Sequence, residues 1–279
     1  MSSKNWFSAL KWRQRVRRSQ HELSRRRVTP RAHGLDAPLV VSLTSFPKRF
    51  ETLPLTLKCL LQQSVKADAV ILWVAHADMD ALTPEILQLQ EQGLSIRACD
   101  ELRPYNKLIH ALVDDPDRYI ATADDDVYYE ADWLEKLVTG AQQHSRHVIS
   151  HRSHRVGYDA NGQMLPYGQW QKNIGTAGAG VDVFATGVSG VLYPPRCLHS
   201  QVTDAETFTR LCPGTDDIWF YWMARMAGTQ VHHLGPKRRI LEWPSSQDVS
   251  LRQNNHGQDN DNGNDRAIAE LIRHFGQPK

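Results

Sequence analysis

Residues 119–126 read Tyr119-Ile120-Ala121-Thr122-Ala123-Asp124-Asp125-Asp126, and Val127-Tyr128-Tyr129 follows. A short apolar run of strand character ends in three carboxylates, which sets several hard oxygen ligands at one strand end. Like charges this close repel one another unless a cation or a hydrogen-bonded ligand compensates them. A divalent metal carrying a phosphorylated substrate is the natural compensator. Asp124, Asp125 and Asp126 are therefore read as a divalent-metal site that also holds a nucleotide's ribose and diphosphate. The plainer alternative is a solvated acidic turn capping the next helix.

Upstream, Leu39–Thr44 and Ala69–Val74 read as buried strands, and Leu94–Arg97 as a short strand. Between and after them, residues 52–63, 84–92 and 107–113 carry apolar side chains at helical spacing, with Pro84 at a first turn. Helix 131–138 follows the aspartates. Strand and helix alternate, which predicts a single α/β domain around a mostly parallel central sheet flanked by helices. Ligands of such sheets sit beyond the carboxyl ends of the strands. The aspartates occupy one such end, and Thr44-Ser45-Phe46 another. Small hydroxyls there suit a base or ribose, and Phe46 is available for stacking. A plain turn is the alternative. Lys107, with Arg103, is the candidate to offset diphosphate charge, against the alternative of a surface lysine.

Downstream the pattern loosens. Residues 152–185 are polar and Gly-rich and read as an irregular insertion. Thr186–Pro195 is a glycine-flanked segment entering a strand. Asp216-Asp217 head an apolar helix, where the helix dipole favours acids. The same pair supplies a candidate general base, the neighbouring charge raising its partner's proton affinity. Arg238–Leu241 is a candidate last strand, residues 244–264 a mobile polar loop, and Asn264 or Asp265 the cap of a final amphipathic helix. His256 in that loop is a candidate metal ligand on closure. The other histidines lack ligand spacing, and no glycine-rich phosphate loop occurs.

The 279 residues have a 41% hydrophobic content and a net charge of +2. Residues 1–33 hold ten Lys or Arg and one acid, Glu22, so the remainder carries −7. Residues 1–37 therefore form a basic arm, 38–243 the main domain, and 244–279 the polar loop with the last helix. In the arm, Trp6, Phe7, Leu10 and Trp12 alternate with basic residues, as in a helix that lies on an anionic membrane surface. A partly disordered tail is the alternative, and a nucleic-acid partner is disfavoured because no second basic stripe exists. Cys59, Cys99, Cys197 and Cys212 show neither zinc nor disulfide spacing. Reduced thiols and the lack of a secretory signal predict a cytoplasmic address, and the basic arm predicts a peripheral position on the inner face of the cell membrane.

Taken together, residues 38–230 resemble the nucleotide-sugar glycosyltransferases of the GT-A fold, in particular the bacterial family 2-like enzymes. Val40–Ser45 looks like their first strand and nucleotide-binding turn, and Thr122–Tyr128 like their Asp-x-Asp segment. Gly187-Val188-Ser189-Gly190 looks like the segment that floors the donor and acceptor site, and Asp216-Asp217-Ile218-Trp219 like the acidic pair heading a helix. The resemblance implies a Rossmann-like single domain and a metal-dependent, inverting transfer from a UDP- or GDP-sugar to a glycan or lipid-linked acceptor in cell-surface polysaccharide synthesis. Asp124 would face ribose or metal, Asp125 and Asp126 would hold Mn²⁺ or Mg²⁺, and Asp217 would be the base. Thr44, Ser45, Phe46, Arg49, Lys107, Gly187 and Gly190 would line the donor. The runner-up enzyme is a sugar-phosphate nucleotidyltransferase, which usually carries glycines after the first strand that Ser45–Arg49 lacks. A non-catalytic polysaccharide-binding or membrane-associated protein is the third reading, since eight tryptophans suit sugar stacking.

Overall fold

The computed structural model describes residues 3–237, 240–244 and 263–278, with backbone alone for residues 3–9. In chain order the strands are β1 (Arg31–Ala32), β2 (Leu39–Thr44), β3 (Val65–Lys66), β4 (Ala69–Ala75), β5 (Leu94–Cys99) and β6 (Tyr119–Thr122). They continue as β7 (Val148–Ser150), β8 (Ser153–Arg155), β9 (Gly178–Gly180), β10 (Val183–Ala185), β11 (Val191–Tyr193) and β12 (Val231–His233). The helices are α1 (Ser3–Arg25), α2 (Leu53–Leu61), α3 (Pro84–Gln88), α4 (Asn106–Asp114), α5 (Trp133–Gln143), α6 (Ala205–Leu211), α7 (Asp216–Met226) and α8 (Gly263–Phe275).

Eight strands form the central sheet in the order β5-β4-β2-β6-β11-β7-β12-β9. The first four are mutually parallel, β11 runs antiparallel to both neighbours, β12 is parallel to β7, and β9 is antiparallel to β12. The expected α/β domain with a mostly parallel sheet is thus the fold observed. Successive side chains of a strand face opposite ways, and the core divides accordingly. Val40, Ile71 and Trp73 join one buried cluster with α4, α6, α7 and α8. Val41, Leu43, Val70, Leu72 and Val74 join the other with α1, α2, α3 and α5. A sheet covered on both faces favours apolar residues at nearly every position, which is why Ala69–Ala75 reads as an unbroken apolar run, while the buried Ser42 of β2 donates its hydroxyl to the Lys107 carbonyl.

The insertion at 152–185 is less irregular than expected. It contributes β9 to the sheet edge, while β8 and β10 pair antiparallel as a separate two-stranded unit. Arg31–Ala32 similarly pairs parallel with Val65–Lys66. The basic arm is helical and lies on the domain. Val16 and Leu23 are buried, and the Arg26 guanidinium donates to the carbonyls of Cys59, Gln62 and Tyr129. At the other end of the chain, Ile268 and Leu271 of α8 enter the core. Among the described residues no helix is long and apolar enough to cross a membrane. The four cysteines are buried and free. The polar loop, His256 and part of the candidate strand at 238–241 lie outside the described residues.

Candidate functional site

The chain lays down β2, β4 and β5 in one direction across the sheet, then returns to place β6 on the other side of β2. The order reverses at the β2/β6 pair, and a crevice forms at such a point beyond the carboxyl ends of the strands. Ser42–Thr122 is the last register pair, and the Ala123 N–H still donates to the Ser42 carbonyl. Immediately beyond it, the turn after β2 and the aspartates after β6 stand face to face.

The Ser45 hydroxyl donates to Asp125 at 2.6 Å. The short 3₁₀ turn Pro47–Arg49 brings the Arg49 guanidinium 2.5 Å from Asp126 and 3.4 Å from Asp125. Arg49 is buried, and its charged plane lies over the Phe46 ring at 5.9 Å. Burial works against its charge, but Asp125 and Asp126 outweigh this and raise its pKa. The Asp125 carboxyl is pushed up to about 7 chiefly by burial, which prevails over the opposing charge of Arg49, with Asp126 and Asp124 adding to the rise. Thr44 turns its hydroxyl to the Trp73 carbonyl. Thr44, Ser45, Phe46 and Arg49 are thus all at the strand end, with Arg49 holding the aspartates and Thr44 tied to the neighbouring strand.

Lys107 joins this cluster to a second one. It belongs to α4, and its Nζ lies 3.0 Å from Asp124 and 3.1 Å from Asp216. The lysine is buried, so the surface-lysine alternative is excluded, whereas Arg103 is exposed. Desolvation alone would lower the Lys107 pKa. Asp124, Asp216 and Asp217 overcome it and raise the pKa well above its ordinary value. Asp216 opens α7, and Asp217 receives the Gly187 N–H at 3.1 Å on each carboxylate oxygen. Asp217 is pushed up to about 7, by burial first and then by repulsion from Asp216. Of the two glycines in the 187–190 turn, Gly190 is sterically required, while a side chain at Gly187 would displace the tip of Lys107. A Cβ at Gly187 would stand 2.9 Å from Lys107 Nζ and 3.1 Å from Asp217. One at Gly190, whose φ is +94°, would stand 2.5 Å from the Trp133 ring.

Five carboxylates thus share two buried cations, Arg49 and Lys107. The surplus of negative charge must be met by protons or by a further cation. Among the described residues no three His, Cys, Asp or Glu side chains gather as a metal cage. Mg²⁺-type sites often use one or two carboxylates with substrate phosphates, however, and this donor set fits that pattern. Asp124 has the most exposed side chain of the three, at 26%, and is the carboxylate with room for a new ligand. Asp125 and Asp126 are engaged by Ser45 and Arg49.

Three contributors are not apparent from the sequence. The Tyr129 hydroxyl accepts the Asp124 N–H at 2.9 Å, and the Trp133 indole N–H donates to the Ser189 carbonyl at 2.8 Å. Tyr193 of β11 is buried close enough to Asp217 for that charge to help raise its phenol pKa, after burial itself. Each lies a few residues from a motif and supports it from below, where a sequence pattern offers no sign. Three other histidines, which lack ligand spacing in the sequence, serve elsewhere. His151 binds the Trp133 carbonyl, His154 accepts the Asn173 N–H, and His232 stacks on His144.

Fold and site together define an α/β protein with an acidic crevice at the switch point of its sheet. No family model and no curated protein matches the chain. Among solved structures it is similar to residues 1–349 of S. aureus TarS in complex with UDP, at 13% identity over 73% of this chain and 59% of that one, with a TM-score of 0.48. A second structure of the same TarS region matches at 14% identity over the same shares, with a TM-score of 0.44. The mannosyltransferase PcManGT from Pyrobaculum calidifontis, in complex with GDP-Man and Mn²⁺, matches at 15% identity over 50% of this chain and 42% of that one, with a TM-score of 0.33. The chain spans 59% of the length of the TarS chains.

Proposed function

We propose that the protein is a glycosyltransferase that moves a sugar from a UDP- or GDP-sugar to an acceptor hydroxyl with inversion. The observation that carries this reading is the Lys107 bridge. It links Asp124, at a strand end of donor-binding type, to the acidic pair that heads α7. A diphosphate-side carboxylate and a candidate base thereby sit on one lysine. The sequence resemblance of both segments to GT-A enzymes supports the same assignment.

In this reaction the acceptor oxygen bonds to the anomeric carbon as the bond from that carbon to the diphosphate oxygen breaks. The acceptor proton passes to Asp217, and the nucleoside diphosphate leaves. Asp217 suits the base role because its raised pKa brings it close to working pH, where proton transfer is most effective. The Gly187 N–H fixes its orientation. Ser45 and Arg49 hold Asp125 and Asp126 in place beside the donor. Asp124, the most exposed of the three aspartates, would hold Mn²⁺ or Mg²⁺, which would supply charge neutralisation at the leaving diphosphate. His256 has no support from the described residues as a further ligand.

The decisive measurement is sugar transfer from UDP- and GDP-sugars with and without Mn²⁺, beside nucleotide titration by thermal shift. Absence of both nucleotide binding and transfer sinks the reading. We further propose that the protein meets an anionic membrane surface through the N-terminal half of α1, where Leu10 and Trp12 are exposed beside basic neighbours. Replacing both with serine should release the protein from anionic liposomes. Unchanged liposome binding would remove the idea.

A further inference from the structure

Between α1 and the domain lies a cavity of about 520 Å³, within the size range of small-ligand sites. One wall is a single face of α1. Arg15, Arg18, Ser19 and Glu22 follow the three- and four-residue spacing that brings side chains together on a helix. The opposite wall includes Tyr128, Tyr129, Trp133 and Ser189. Two of these connect directly to the candidate site. Tyr129 holds the Asp124 N–H, and Ser189 belongs to the turn whose Gly187 holds Asp217. The cavity is therefore adjacent to the acidic crevice, on the far side of the aspartate loop and the 187–190 turn.

Its charge is unevenly satisfied. Glu22 is already bound by Arg26 at 2.8 Å and by the Tyr128 hydroxyl at 2.7 Å. Glu130, also on the wall, lies 4.0 Å from Lys136. Arg15 and Arg18, in contrast, make no hydrogen bond or ion pair among the described residues. Two free guanidiniums facing a cavity with aromatic walls form a receptor for an oxyanion carried on a larger body. Guanidinium forks match phosphate oxygens, and aromatic faces pack against sugar or aliphatic groups.

We propose that this cavity binds a phosphate-bearing group of the acceptor. Arg15 and Arg18 hold the phosphate, while Tyr128 and Trp133 flank what it is attached to. The acceptor role rests on the transferase reading, but phosphate binding in the cavity does not. It would also explain why an acidic domain carries its basic residues on a docked helix rather than on a detached tail.

The test uses the full chain at constant ionic strength and titrates inorganic phosphate and glycerol phosphate by calorimetry. A parallel arm measures binding to phosphatidylglycerol vesicles. The Arg15→Gln/Arg18→Gln variant is compared with Arg13→Gln/Arg17→Gln, which removes the same charge from exposed positions outside the cavity. Loss of two charge-assisted contacts should weaken phosphate binding at least about tenfold in the first variant. The second should stay within about twofold of the original, since it keeps both contacts. Soluble phosphate binding without vesicle binding assigns the group to a soluble acceptor. Vesicle binding lost only in the first variant assigns it to a lipid headgroup. Equal loss in both variants, or no binding by the original protein, overturns the proposal. Phosphate binding that depends on Arg15 and Arg18 in a protein that binds no nucleotide would overturn the transferase reading and leave the cavity assignment standing.

Discussion

The Nζ of Lys107 lies 3.1 Å from a carboxylate oxygen of Asp216, tying the helix beneath the sheet's carboxyl edge to the start of the helix that carries the candidate base. The contact is buried at both ends, with side-chain exposures of 10% and 12%. Water therefore screens it little, and the arrangement depends on the lysine's charge.

Lys107→Met is expected to destabilise the protein by about 3–5 kcal/mol, the usual cost of leaving buried charges unpaired. Asp217 would lose the cation that works against its raised pKa and would bind its proton more tightly. An acid whose folded pKa is raised contributes stability that is lost as pH rises through that value. The variant's deficit should thus be larger at pH 8 than at pH 5 in chemical denaturation. A deficit independent of pH would contradict the electrostatic account.

Asp217→Asn should lower kcat by about 10²–10⁴-fold while leaving donor affinity unchanged, because a lost general base costs this much and the amide keeps the side chain's shape. In the unsubstituted protein, the proposed transfer should show a kcat/KM that rises with pH as Asp217, raised to about 7, gives up its proton. Full activity in the variant would show that the base is another group.

Gly190→Ala is expected to cost about 2–4 kcal/mol, combining an unfavourable positive φ with collision against the Trp133 ring. A companion Trp133→Leu change should recover part of the loss by opening space, although it gives up the indole bond to Ser189. Thermal unfolding of the single and double variants measures the coupling.

Arg26→Ala should detach α1. The guanidinium is almost fully buried and donates to three carbonyls and to Glu22, so its removal leaves acceptors unsatisfied at a cost of about 2–4 kcal/mol. Faster proteolysis within residues 1–33, ahead of any cleavage in the sheet, is the expected signature.

Much of this architecture was legible because long buried strands announce themselves. Leu39–Thr44 and Ala69–Ala75 are covered on both faces, so four of six residues in the first and all seven in the second are apolar. The three-residue β12 was not recognised, since Val231-His232-His233 has no period and owes its place to pairing with Val148–Ser150, some eighty positions earlier. Helix α6 was overlooked for a related reason: seven residues with Phe208 and Leu211 inward are too few to show a stripe. In a basic run Arg26 looks like any solvated arginine, and only the carbonyls around it mark it as an anchor.

The amino-acid order by itself determined the alternation of strand and helix, the placing of Asp124–Asp126 at a strand end, and the placing of Asp216-Asp217 at a helix start. These follow from local periodicity and from the chemistry of neighbours in the chain. Tertiary structure alone decided that Arg49 and Ser45 hold Asp125 and Asp126, that Lys107 joins Asp124 to Asp216, and that α1 encloses a cavity behind the aspartate loop. Charge compensation acts through space, between residues up to 109 positions apart, and no local pattern encodes which cation meets which carboxylate.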